Sequence, residues 1–323
     1  MDFRTELLLK HSGNINLGDG IFTIGSCFAE SIGKRFLENK FPSLVNPFGT
    51  IYHPCSIHKL LQFAIKKEGP DEVSFLINNE THLNFDFHSS ICGNSLADIR
   101  NKINELVTEA HSFLKDCNVL ILTYGTSWIY ERTYNGQAVA NCQKKPSSQF
   151  KKRLTSSLEI VNSFDTTHKL LSALNPDLKI IVTISPVRHL KDSIELNSVS
   201  KATLRVACHE LSEKYSNVEY FPAFEIMMDD LRDYRFYKTD MIHPTETAED
   251  YIWGKFSDRY FSQSTVDILS QWKEIRKAIR HRPFQPDSVS HQKFLQETLK
   301  KLQQLKSSID VESEIHEIKS RMS

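Results

Sequence analysis

The chain has 323 residues, 40% of them hydrophobic, which is enough apolar material for one large core or two modest ones and excludes disorder throughout. Forty Lys and Arg balance forty Asp and Glu, so no global basic field draws the chain to nucleic acid or to an anionic membrane. Six cysteines without a Cys-x-x-Cys pair fit free thiols in a reducing compartment.

The N-terminal segment has only Leu7-Leu8-Leu9 as an apolar run and no small-residue cleavage site, so it does not read as a secretory signal. No later stretch approaches the length of a membrane span, and a soluble, cytoplasmic protein is expected. The first strand is predicted at Ile21-Phe22-Thr23-Ile24, with helices following over about 28–40 and 56–67. A long insertion, polar from Asn78 to Ser90, then leads to a helix over about 95–115. Val119-Leu120-Ile121-Leu122-Thr123 forms the second strand, and a helix is expected over about 151–174. Ile180-Ile181-Val182-Thr183-Ile184 and Val218-Glu219-Tyr220-Phe221 form two more strands, with helices at about 193–215 and 245–261. Unbroken apolar strands alternating with helices imply a parallel sheet covered on both faces. From Ser262 onward the sequence is helical and charge-rich, interrupted by His281-Arg282-Pro283-Phe284-Gln285-Pro286. Phe294, Leu295, Leu299, Leu302 and Leu305 recur at helical spacing, as for helices packed on the main domain or on a second copy of the chain. The expected division is a domain over 1–261 and a C-terminal helical extension over 262–323.

In parallel α/β sheets ligands bind beyond the carboxyl ends of the strands, so the residues that follow each strand are the candidates for chemistry. Gly25-Ser26-Cys27 is a tight turn between a strand and a helix. A thiol at a helix N-terminus meets unpaired N–H groups that favour the thiolate, so the Cys27 pKa is expected below its ordinary value. Taken alone, the turn reads more simply as small residues with Cys27 packed as a hydrophobe. Asp240-Met241-Ile242-His243 follows the last strand, with Pro244 placed to open the next helix. Its spacing lets a carboxylate orient an imidazole. Thirteen histidines make one chance Asp-x-x-His unsurprising, and Asp165-x-x-His168 is assigned to packing because it falls inside a helix. Gly49 in the Asn46-Pro47-Phe48-Gly49-Thr50 loop and Gly125 offer backbone N–H donors, and Ser127 offers a hydroxyl. Together these residues supply the nucleophile, base, orienter and donors that acyl transfer needs.

The string Gly25-Ser26-Cys27-Phe28-Ala29 resembles the name-giving motif of the GSCFA-domain proteins, a group related to the SGNH or GDSL hydrolases. Asn46 to Tyr52, Ser185-Pro186-Val187-Arg188-His189 and Asp240 to Pro244 are similar to the same family, over about residues 5–260. The resemblance implies a three-layer, flavodoxin-like α/β fold and an esterase or acyltransferase constellation without cofactor or metal. It places the superfamily's Asp-x-x-His on Asp240 and His243, its second-block glycine on Gly49 and its third-block glycine on Gly125. Its nucleophilic serine falls on Cys27, or on Ser26 if the register slides by one, and its oxyanion asparagine falls on Ser127. The implied substrate is a small-molecule or carbohydrate acyl compound, with neither nucleic acid nor membrane as a partner.

Arg188 and His189 follow a strand end, where they either contact substrate anions or pair with a nearby acid. His53, Cys55 and His58 lack a convincing fourth ligand and are assigned to packing rather than metal. His82, Asp86, His88 and Ser89 either line the pocket mouth or form a solvated loop. Trp128, Trp253 and Trp272 are expected to pack. No Gly-x-Gly-x-x-Gly follows the first strand, and Gly33-Lys34-Arg35 lacks the glycines of a phosphate loop.

Overall fold

The computed structural model describes residues 7–13, 15–285 and 287–322, so Pro286 of the proline-rich interruption and the first six residues lie outside the described chain. Five strands form the central sheet: β1 (Ile21–Gly25), β2 (Ser43–Val45), β5 (Val119–Tyr124), β9 (Lys179–Ile184) and β10 (Val218–Phe221). Their spatial order is β2-β1-β5-β9-β10, and every pair is parallel. β1, first in sequence, is thus an inner strand, and all five of its residues are buried. Such a strand has no solvent face and needs no polar alternation, which is why the run is apolar but for Thr23.

Alternate residues of these strands point to opposite faces and feed two cores. Phe22, Ile24, Leu120, Leu122 and Val182 face one core, closed by α2 (Pro54–Lys66), α3 (Leu96–Asp116), α4 (Ser157–Leu174) and α5 (Ile194–Lys214). Ile21, Val119, Ile121, Ile181 and Phe221 face the other, covered by α1 (Cys27–Glu38) and α7 (Glu246–Tyr260). After β10 the chain turns through α6 (Ala223–Glu225) into a π-helical turn over Ile226–Asp230. The C-terminal helices α8 (Gln263–Arg280), α9 (Val289–Leu305) and α10 (Glu312–Ser320) extend the second core. Leu295 and Leu302 are fully buried there, Leu299 is half-buried, and Trp272 donates its indole N–H to Glu38 O at 2.9 Å. Among the described residues no helix is long and apolar enough to cross a membrane.

Three features depart from the sequence reading. The insertion holds β2 and a hairpin of β3 (Phe75–Asn78) with β4 (Thr81–Asn84). A second small sheet joins β6 (Trp128–Arg132) to β7 (Ala138–Val139) and β8 (Phe150–Leu154). The helix expected from 151 therefore begins only at Ser157, capped by Ser156, because Lys151 to Leu154 pair with β6. The Lys152 ammonium lies over the rings of Trp128 and Tyr130, 5.1 and 5.4 Å from their centroids, and pairs with Asp192.

Candidate active site

Gly25 ends β1 with φ +144°, and an added Cβ would lie 2.2 Å from Thr123 O, so a side chain is excluded where the chain turns into α1. Ser26 is the N-cap: it is fully buried and its hydroxyl accepts the Phe28 N–H at 3.3 Å. The turn thereby aims Cys27, the first residue of α1, outward. Its Sγ lies 3.7 Å from His243 Nε2, 216 positions away in sequence.

The His243 loop is wound on its own carboxylate. Asp240 Oδ1 accepts the Ile242 and His243 backbone N–H groups at 2.9 and 3.0 Å, and Oδ2 accepts the imidazole Nδ1–H at 2.7 Å. These bonds, the backbone ones foremost, lower the Asp240 pKa to about 2. An ionised carboxylate only accepts, so the ring proton sits on Nδ1 and Nε2 is left as the acceptor facing the thiol. Pro244 precedes α7 instead of opening it, and Thr245 is the N-cap. α1 and α7 are pinned together by Arg35, which reaches Glu249 at 3.2 Å and Asp250 at 2.7 Å, and by the Ser31 hydroxyl donating to Glu249 at 2.6 Å.

The Cys27 thiol does not have the lowered pKa expected of a helix N-terminus. Burial pushes it up, and the N–H groups of Cys27 and Phe28 with the Lys201 ammonium only partly offset that. Nor do the three expected donors face the thiol. Gly125 gives its N–H to Tyr52 O at 2.8 Å, and Gly49, at φ +74°, closes a turn onto Asn46 O at 2.8 Å. Ser127 is fully buried, with its hydroxyl donating to Ser200 O at 3.2 Å. Each is used to hold a strand-end loop in place. Arg188 also departs from its expected place: its guanidinium stacks 3.9 Å from the Tyr237 ring centroid, and its backbone N–H donates to Ile242 O at 3.3 Å. It braces the loop that carries Asp240 and His243. His189 lies edge-on to Tyr52 with Nε2 buried and unpartnered, and burial, Lys201 and His243 hold its pKa down at about 3. It is a neutral ring, on which the opposing pull of Asp192 is outweighed by burial and the nearby cations.

Two residues at this edge were not among the expected site residues: Lys201 carried no sequence signal, and Asn46 was read only as part of its turn-rich loop. Lys201 on α5 is 2% exposed and donates to Gly125 O at 2.8 Å and Ser185 O at 2.7 Å, tying the ends of β5 and β9. Burial lowers its pKa to about 7. Asn46 follows β2, and its Oδ1 accepts the Gly25 N–H at 2.9 Å while Nδ2 is buried without a partner. His53, His58, Asp86 and His168 are packing residues, whereas Ser89 is exposed. His53 and His58 are engaged by Thr155, Tyr124 and Ser163, and Asp86 takes Lys59 at 2.8 Å. His168 stacks on Tyr215 at 3.8 Å.

The fold and this edge define an α/β protein with a thiol, an imidazole and a carboxylate in series at the carboxyl end of a parallel sheet. Residues 20–256 match the GSCFA family and residues 272–323 match the GSCFA domain protein, C-terminal domain; the chain belongs to the GSCFA family. No curated protein matches it. Among solved structures, one similar chain is an acetyl xylan esterase (Est2A) from the rumen bacterium Butyrivibrio proteoclasticus, 11% identical with a TM-score of 0.32. That match covers 76% of this chain and 64% of the esterase chain, so this chain spans less than two thirds of the other's length. Similarity at that level bears on neither fold nor chemistry.

Proposed function

We propose that the chain is an acyl hydrolase or acyltransferase that works through a covalent acyl intermediate on Cys27. The observation that carries this reading is the series Asp240 Oδ2, His243 Nδ1, His243 Nε2, Cys27 Sγ, with steps of 2.7 and 3.7 Å at its two ends. A half-buried thiol whose pKa is raised needs a base to ionise, and Nε2 takes its proton as sulfur attacks the acyl carbonyl. The resulting imidazolium is held by Asp240, which stays ionised throughout the neutral range. His243 then returns the proton to the leaving group, and water or an acceptor hydroxyl resolves the acyl-cysteine. Hydrolysis and transfer differ only in that last partner. Oxyanion stabilisation falls to the backbone N–H of Cys27 at the start of α1, since the Phe28 and Ala29 N–H groups are taken by Ser26. The strand order 2-1-3-4-5 supports the flavodoxin-like reading and, with it, kinship to the SGNH hydrolases. On this reading residues 1–261 form the catalytic unit and 262–323 its extension.

The test is adduct mapping with activated esters, read by peptide mass spectrometry. The acyl group is expected on Cys27 and absent from Cys27→Ala, and Ser26→Ala is expected to keep the adduct while losing about 1 kcal/mol of helix capping. An adduct on Ser26, or labelling indifferent to His243→Ala, would refute the assignment.

A further inference from the structure

A groove of about 990 Å³ starts at Cys27 and His243 and runs along α1, between it and the helices α7 and α8. Its far end is reached where Arg276 of α8 pairs with Glu38, the last residue of α1. Eleven residue steps separate Cys27 from Glu38, which at the helical rise places that end about 16 Å from the thiol. Sites for drug-sized ligands occupy about 300–1,000 Å³, so a small acyl ester would leave most of this groove unused. The space fits a long ligand whose reactive end lies at Cys27.

The charge of the groove changes along its length. Near the thiol, Glu30 is taken by Lys34 and Glu249 by Arg35. At the far end Lys273, Arg276, Lys277 and Arg280 line the groove from one face of α8, at spacings of three and four residues. Arg276 answers Glu38 and Lys277 answers Glu274, while Lys273 acts on Glu274 only at longer range and neither Lys273 nor Arg280 forms an ion pair among the described residues. A cationic patch this far from the reacting atom recognises a distant anionic group and not the bond that is broken.

We infer that the groove binds an acyl thioester whose leaving part is a long arm ending in phosphates, with the phosphates on the Lys273 and Arg280 face of α8. The inference rests on the acyl-transfer role proposed for Cys27 and names its donor. A thiol that takes an acyl group from a thioester exchanges one thioester for another, a nearly level step, whereas drawing it from an oxygen ester runs uphill. In the exchange the Cys27 Sγ–carbon bond forms and the donor's carbon–sulfur bond breaks. The electron pair leaves with the donor sulfur, which takes up the proton that His243 removed from Cys27.

The test uses the full-length protein. Desulfo-coenzyme A, which has the arm and phosphates but no thiol, is titrated by calorimetry beside pantetheine and inorganic phosphate. Desulfo-coenzyme A is expected to bind far more tightly than either fragment and to weaken with salt. A Lys273→Gln, Arg280→Gln double variant, altered only at exposed positions, is expected to weaken it by about tenfold or more. Acylation of Cys27 by acetyl-coenzyme A and by S-acetyl-N-acetylcysteamine is read in parallel by intact mass; the double variant should slow the first and leave the second unchanged. Equal acylation by both donors in the unaltered protein, or unchanged affinity in the double variant, would overturn the inference and leave Cys27 in its role. Binding of desulfo-coenzyme A without acylation by either thioester would overturn the acyl-transfer reading, and the thioester assignment with it.

Discussion

The Cys27 thiol sits under two opposed influences, and burial prevails over the helix N-terminus and the Lys201 ammonium. The folded thiol therefore holds its proton above the ordinary thiol value of 9.0, and near neutral pH its reactivity depends on an acceptor. Iodoacetamide labelling of Cys27 followed against pH is expected to fall steeply at neutral pH in His243→Ala and to recover only above that ordinary value. A variant that still labels at neutral pH as fast as the unaltered protein would show that the imidazole is no base for this thiol. The sign for stability is equally definite. A raised folded pKa means that the unfolded chain loses this proton first, so the thiol's contribution is intact below pH 9.0 and declines as pH rises through the folded value. Asp240 works in the opposite direction: its folded pKa of about 2 lies below the ordinary 3.8, so its contribution is present above 3.8 and disappears only as pH falls through 2. The pairing of Cys27 with His243 was legible because each follows a strand in a motif with its own chemistry. Lys201 was not, because a lysine on a polar helix gives no sign that its neighbours will bury it.

Elements bring the two halves of the pair together, and the loop from Tyr237 to His243 is the one most in need of support. It passes through a positive φ at Met241 and is held by Lys238 N–H to His243 O at 2.8 Å, with Arg188 stacked behind it on Tyr237. Arg188→Ala is expected to lower turnover several-fold, with KM little changed, because the loop keeps its sequence and loses its fixed orientation. A rise in KM alone would mean that Arg188 meets the substrate directly. The inner strands were legible for a simple reason: β1, β5 and β9 are buried on both faces apart from Lys179, and are apolar but for one threonine each. β2 escaped notice because Ser43-Leu44-Val45 is a three-residue, half-buried edge strand, too short for any periodicity. β8 escaped because Lys151-Lys152-Arg153 carries the charge density of a surface helix, and only its pairing with β6 makes it extended. Short strands are decided by the neighbours they pair with, which local sequence does not record.

At the scale of the whole molecule the C-terminal helices form part of the second core. Leu302 is completely buried in the cluster that also holds Phe36, Phe41 and Phe261, so Leu302→Ala is expected to cost about 2–5 kcal/mol, measured by urea unfolding. Removing residues 262–323 is expected to expose that cluster and cause aggregation, visible by size-exclusion chromatography. A truncated chain with the same assembly mass relative to its length and equal stability would show that α8 to α10 only decorate the surface. The chain also crosses itself early and late: β1 stands between β2 and β5, Ile15 bridges to Phe261, and α1 is roofed by α7 and α8. During synthesis the thiol thus emerges long before its partners, with more than two hundred residues still to be translated before His243 arrives. At about 5–20 residues per second that interval lasts roughly ten seconds or more. Through it Cys27 is an ordinary, unburied thiol, and on the proposed reading a nascent chain has neither the imidazole base nor the cationic groove wall that acyl transfer needs. The Cys27–His243 pair and the groove form only when the last third of the polypeptide closes over the first helix, so on the proposed reading the onset of acyl transfer is tied to the completion of folding.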